Sequence, residues 1–183
     1  MSAESRNPTA ADADDALMTR VQRADPHAFR ELFARHYDAA LRYATVLAGN
    51  REDARDHVQE AFVRVYRGSG QYQMQGRFRG WLFTIIRNLV LDRAKRRTVR
   101  TTGAPAALAR AENRPAPAPD RDAGNSLDRL AGLDEEQREI IVLRVVEEMS
   151  YAELASITGL REDHLRQIVS RALAKLRTKG ASQ

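Results

Sequence analysis

Cysteine is absent from the 183 residues. Disulfides, thiolate zinc sites and cysteine nucleophiles are therefore excluded. No apolar run approaches the roughly 20 residues that cross a bilayer, so membrane insertion is not expected. Aromatic residues are few, at 6%, and any core must rest on Leu, Ile, Val and Ala. The stretch Met1 to Asp15 is acidic and Ala-rich. It lacks the basic start and apolar centre of a secretory signal, and a cytoplasmic location is expected. His27, His36, His57 and His164 show no metal-ligand spacing, and no phosphate-binding Gly loop or nucleophile motif occurs. No metal, no cofactor and no catalytic residue is expected, which argues against an enzyme.

What is present is a helical, basic chain. Hydrophobic residues make up 43% and charged residues 30%, and the formal net charge is +5. The distribution of charge is more informative than its sum. Arg87, Arg93, Lys95, Arg96, Arg97 and Arg100 are opposed in their segment only by Asp92. Arg161, Arg166, Arg171, Lys175, Arg177 and Lys179 are opposed only by Glu162 and Asp163. Two separated basic segments fit two contacts with DNA.

Apolar residues recur at helical spacing throughout, and no strand-like alternation is sustained. An all-α fold follows. Asp25-Pro26 marks a helix start. Phe29, Leu32, Phe33, Tyr37, Ala40, Leu41, Ala44 and Leu47 line one face of that helix. Asn50 opens the next, whose apolar face carries Ala54, Val58, Ala61, Phe62, Val65 and Tyr66. A Gly-containing loop leads to a third helix over 78–97, with Phe78, Trp81, Leu82, Ile85, Ile86, Leu89 and Val90 as its stripe. These helices define a domain over 15–97, preceded by a disordered tail at 1–14.

Four of the six prolines fall in 98–125. Each removes a backbone donor and restrains the residue before it. This Pro/Ala-rich segment reads as an extended, flexible linker. A second small helical domain follows at 126–179. Asp134 with Gln137 starts one helix, and Ser150 with Glu153 forms a capping-box pattern. Gly159 ends that short helix, and a basic amphipathic helix closes the domain.

The last two helices have the layout of a helix-turn-helix, whose second helix can enter the major groove. Arg161, Glu162, His164, Arg166, Gln167 and Arg171 are the candidates at base edges, since Arg suits guanine, Gln adenine and Glu the cytosine amine. Lys175 suits a phosphate. By spacing alone, the same pattern also fits a helical hairpin with a solvated charged face. The third helix joins Tyr72, Arg77, Arg79, Arg87 and Asn88 to the cluster Arg93, Lys95, Arg96 and Arg97. Rings beside cations are what single-stranded DNA requires, although the apolar stripe of this helix also fits an ordinary core. By itself, the helix from Asn50 to Tyr66 reads as an amphipathic surface helix.

The run Asp53-Ala-Arg-Asp-His-Val-Gln-Glu-Ala-Phe-Val63 resembles the polymerase-binding helix of extracytoplasmic-function (ECF) sigma factors of bacterial RNA polymerase. Phe78-Arg-Gly-Trp-Leu-Phe-Thr-Ile-Ile-Arg-Asn-Leu-Val-Leu-Asp-Arg93 resembles their promoter-melting helix. Leu133 to Leu176 resembles their C-terminal helix-turn-helix. The resemblance implies a two-domain specificity subunit without chemistry of its own. Asp53, Asp56, Gln59, Glu60 and Phe62 would face the β′ coiled coil of core polymerase. The loop Gln71 to Arg77 would capture an extruded base of the −10 element, which Arg87, Asn88 and Arg93 would help to read. The last helix would read the −35 element while its domain rests on the β flap. The family also implies an anti-sigma partner covering the polymerase-binding face. This chain departs from the family at Leu133-Asp134, at Arg161 to His164, at Ile168 and at Gln73 to Gly76, which leaves the promoter sequence open. A stand-alone helix-turn-helix regulator would explain the C-terminal half alone, and a helical adaptor would leave both basic clusters unexplained.

Overall fold

A computed structural model of the chain describes residues 10–102, 130 and 132–180, with side chains described over 10–96, 130 and 132–178. Most of the expected linker lies outside these residues. Among the described residues every regular element is helical.

Helix α1 spans Ala10–Gln22 and α2 spans Pro26–Ala48. Asp25 caps α2 by accepting from the His27 and Ala28 amides, and Pro26 occupies the first turn. Asn50 caps α3, Arg51–Gly68, by accepting from Asp53 N. A single 3-10 turn, Ser69–Gln71, and an irregular loop lead into α4, Phe78–Thr102. These caps work because short polar side chains take the free amides at a helix start.

The helices α1 to α4 close around Leu17, Met18, Val21, Leu32, Tyr43, Ala54, Val58, Val65, Phe78, Leu82, Phe83 and Ile86, all buried. Two boundaries differ from expectation. Helix α1 begins at Ala10, inside the stretch expected to be a tail. Its Asp14 is buried and accepts from Arg35 of α2 at 2.8 Å. Helix α4 continues to Thr102, into the stretch expected to be linker. The first proline beyond it is Pro105, so nothing earlier withdraws a backbone donor from the helix.

The second unit contains α5, Glu135–Ile141, capped by Asp134. It runs directly into a π turn at Val142–Val146. Helix α6, Tyr151–Thr158, has the full capping box between Ser150 and Glu153. Gly159 ends it at φ 75°, a left-handed conformation that a side chain would disfavour. Helix α7 spans Glu162–Gly180. Helices α6 and α7 form the expected helix-turn-helix, held by Leu143, Met149, Leu154, Ile157, Leu165, Ile168 and Ala172.

The two units pack on each other. Helix α6 lies along α4, and α5 lies against α2. Within the first unit, Phe83 is fully buried although it falls outside the expected stripe, because it sits against Tyr43 of α2, ring centroids 5.0 Å apart. Helix α4 is covered on a second side.

Candidate nucleic-acid and polymerase interface

Three surfaces carry the expected site residues. The first is the α3 face. Asp56, Gln59 and Glu60 are exposed there, and Asp53 is half-buried. Phe62 is not on this surface. It is 2% exposed and packs on Phe33 and Phe29. Helical spacing puts it among the apolar positions, and that governs over its place in the motif. Between α3 and α4 runs an open groove of about 380 Å³, lined by Asp56, His57, Glu60, Arg64, Leu89, Asp92, Arg93 and Arg96. Arg93 crosses it to Asp53 at 3.1 Å. Burial and the nearby Arg93 charge hold the His57 imidazole below its usual range, while Asp53 and Asp56 pull the other way.

The second surface is α4 with the loop before it. Arg77, Asn88, Lys95 and Arg96 are exposed. The Arg97 side chain lies outside the described residues. Tyr72 is only 9% exposed and stacks toward Trp81, centroids 5.1 Å apart. Its hydroxyl donates to Asp15 at 2.7 Å. It is therefore a support of the loop and does not offer a free ring for a base. Burial, then Asp15, push the Tyr72 hydroxyl well above the usual tyrosine range.

Arg79 and Arg87 are also engaged, both by the second unit. Arg87 Nε donates to Glu139 Oε1 at 2.7 Å, and the Tyr43 hydroxyl donates to the same oxygen at 2.8 Å. Glu139 is 7% exposed. Burial opposes the Arg87 charge, but the Glu139 bond and field outweigh it and hold the guanidinium more firmly protonated. Burial and then the Glu139 charge raise the Tyr43 hydroxyl well above its usual range. Arg79 donates to the Glu147 carbonyl at 2.6 Å and lies 3.6 Å from its carboxylate. Arg42 Nε donates to that carboxylate at 3.0 Å. Glu147 is 6% exposed. Glu139, Glu147, Arg42 and Tyr43 were not singled out in the sequence. Their partners lie 52 to 105 residues away, beyond any local pattern.

The third surface is α7. Arg161, His164, Arg166, Gln167 and Arg171 are exposed, and Glu162 is half-exposed. Arg166 is held by Glu162 at 2.7 Å, and it stands over the Tyr151 ring at 4.9 Å. Lys175 donates to Gln137 at 2.8 Å, which draws it toward α5.

A model of sigma-70 region 2 matches residues 32–100, and a model of sigma-70 region 4 matches 129–178. The ECF RNA polymerase sigma factor BldN of Streptomyces coelicolor is 33% identical over 177 residues, covering 91% of this chain and 67% of BldN. The ECF sigma factor SigE of Mycolicibacterium smegmatis is 36% identical over 156 residues, covering 80% of this chain and 59% of SigE. The sigma factor CnrH of Cupriavidus metallidurans is 32% identical over 177 residues, covering 90% of this chain and 93% of CnrH. A solved structure of CnrH, in complex with the cytosolic domain of CnrY, superposes with a TM-score of 0.69 at 27% identity, covering 94% of this chain and 99% of that one. The chain belongs to the sigma-70 family of RNA polymerase sigma factors, in its ECF branch. Its two matched regions are those of a promoter-recognising subunit. Among the described residues no helix is long and apolar enough to cross a membrane.

Proposed function

We propose that the chain binds core RNA polymerase in the cytoplasm, directs it to a set of promoters and opens them without any chemical step of its own. Residues 10–102 form the unit that docks on the β′ coiled coil and holds the opened −10 strand. Asp53, Asp56, Gln59 and Glu60 supply the docking surface. The exposed loop residues Gln73, Met74 and Gln75 receive the extruded base, while Arg77, Asn88, Lys95 and Arg96 hold the strand. Residues 132–180 form the unit that rests on the β flap and reads the −35 element with α7. Opening is driven by binding: stacking and phosphate contacts favour the single strand over the duplex.

The observation that carries this reading is the coexistence, in one chain, of an exposed acidic α3 face, a basic α4 and a separate helix-turn-helix. In the free chain Arg79 and Arg87 are committed to Glu147 and Glu139. Their use on DNA therefore requires the second unit to leave α4. CnrH is solved with the cytosolic domain of CnrY, and an anti-sigma protein is the corresponding partner for this chain, covering the polymerase-binding face.

The test combines the purified protein with sigma-free core polymerase and a genomic promoter library. Promoter-directed transcripts are expected. DNA binding without core would favour a stand-alone regulator, and failure to bind core would overturn the proposal.

A further inference from the structure

Helix α1 precedes the part of the chain that the region 2 model matches, which starts at residue 32. It nevertheless holds both ends of the loop before α4. Asp15 lies on α1 and is half-buried. Its Oδ1 accepts from the Tyr72 hydroxyl at 2.7 Å, and its Oδ2 accepts from the Gly76 amide at 2.7 Å. One carboxylate thus ties together the first and last residues of Tyr72 to Gly76. One further turn of α1 and more along, Gln22 donates its amide to the carbonyls of Ser69 at 2.9 Å and Tyr72 at 3.2 Å.

Between these fixed points Gln73, Met74 and Gln75 are exposed. Gln75 donates to Gln73 at 2.8 Å, so the loop folds back on itself above the brace. The shape is specific. Gly76 has φ 64°, and a side chain added there would come within 3.2 Å of Ala11 on α1. Tyr72 is fixed from below by Phe78 and Trp81. Charge-assisted hydrogen bonds are the stronger kind, and a carboxylate that takes two at once fixes geometry as well as energy.

We infer that Asp15 is a positioning residue for base capture: from α1, it holds the 72–76 loop in the shape that receives and discriminates an extruded base. This deepens the reading of that loop given above and rests on it. Asp15 itself touches no DNA. Its effect passes through the loop backbone, because a pocket that must grip one base discriminates only as well as its walls are held.

The test uses holoenzyme reconstituted from the full chain and core polymerase. Short single-stranded DNA of random sequence is selected on it and sequenced, giving a base preference at each position. Core affinity and thermal midpoint are measured alongside. Asp15→Ala removes both bonds and should flatten the preference at one position by about tenfold, the size expected for losing a charge-assisted bond. Core affinity should stay unchanged. Tyr72→Phe removes one of the two bonds with the rings intact. It should flatten the same position by less, and it keeps the question answerable should Asp15→Ala fold poorly. A Gln73→Ala, Gln75→Ala double variant tests the loop reading separately. If the double variant shifts that position while Asp15→Ala and Tyr72→Phe leave it untouched, the role of Asp15 is overturned and the loop reading stands. If the double variant shifts nothing, the loop reading falls and the role of Asp15 with it.

Discussion

Arg87 on α4 and Glu139 on α5 meet at 2.7 Å, although they belong to different units. Both are largely withdrawn from water, with side chains 22% and 9% exposed. The same Glu139 oxygen also takes the Tyr43 hydroxyl. A residue expected to read DNA is therefore half of an internal ion pair in the free chain.

Removing one side of this pair should have two opposite effects. Glu139→Ala leaves the Tyr43 hydroxyl and the Arg87 guanidinium without their acceptor. Stability should fall by about 3 kcal/mol, the usual cost of orphaning one partner of a buried pair. At the same time, Arg87 is released and the contact between units weakens. Binding of promoter DNA by the free chain should rise. Urea denaturation and fluorescence anisotropy on one preparation test both; a fall in stability with unchanged DNA affinity would refute the link.

Stability should also depend on pH through His57. Its folded value lies below the usual 6.5, first because of burial and then because of Arg93. The folded state therefore binds fewer protons there than the unfolded chain. The contribution is fully present above about 6.5 and is lost as the pH falls below it. His57→Gln should flatten the slope of unfolding free energy between pH 7 and pH 5. Denaturation curves for both proteins across that range provide the check, and parallel slopes would refute it.

The capping box of α6 gives a smaller, local effect. Ser150 accepts from the Glu153 amide, and Glu153 accepts from the Ser150 amide. Ser150→Ala should cost about 1 kcal/mol. Since α6 supports α7, the loss should appear as earlier thermal melting of the chain, measured by circular dichroism, without a change in affinity for core polymerase.

Arg166 and Arg96 should differ in kind. Arg166 stands at the exposed start of α7, steadied by Glu162 and Tyr151. Arg166→Ala should weaken some promoters far more than others, by about 1–3 kcal/mol where it meets a guanine. Arg96 is an exposed cation near the end of α4. Arg96→Ala should weaken all promoters alike and reduce the salt slope by about 1. Binding across a promoter panel at several salt concentrations separates the two patterns.

Much of the fold was legible because its signals are local. Asp25, Asn50, Asp134 and Ser150 all cap the helices their sequence context predicts, and Gly159 takes the left-handed turn. The start of α1 was not legible. Its early residues are Ala and Asp, and its buried face joins Leu17, Met18 and Val21 to Asp14, a charged residue that the sequence pattern assigns to solvent. The π turn is not legible in the sequence, because the largely apolar run from Ile140 to Val146 reads as one continuous helix; in the structure Val142 and Leu143 are buried while Val145 and Val146 are exposed. Phe62 was placed both in an apolar stripe and in a polymerase-binding motif, and the stripe decided its position. The contact between units could not be read at all. Glu139 and Glu147 look like ordinary acids of a surface helix until Arg87, Tyr43, Arg42 and Arg79 arrive from the other half of the chain.

The burial of α4 under α6 has a thermodynamic consequence. A helix covered on two sides can serve a new ligand only during the fraction of time that one side is bare. Apparent affinity for any ligand that needs the bare side is reduced by that fraction. The strength of the internal contact thus acts as a threshold on how readily α4 can be offered to DNA. Changes at Glu139 or Glu147, which hold Arg87 and Arg79, should move that threshold.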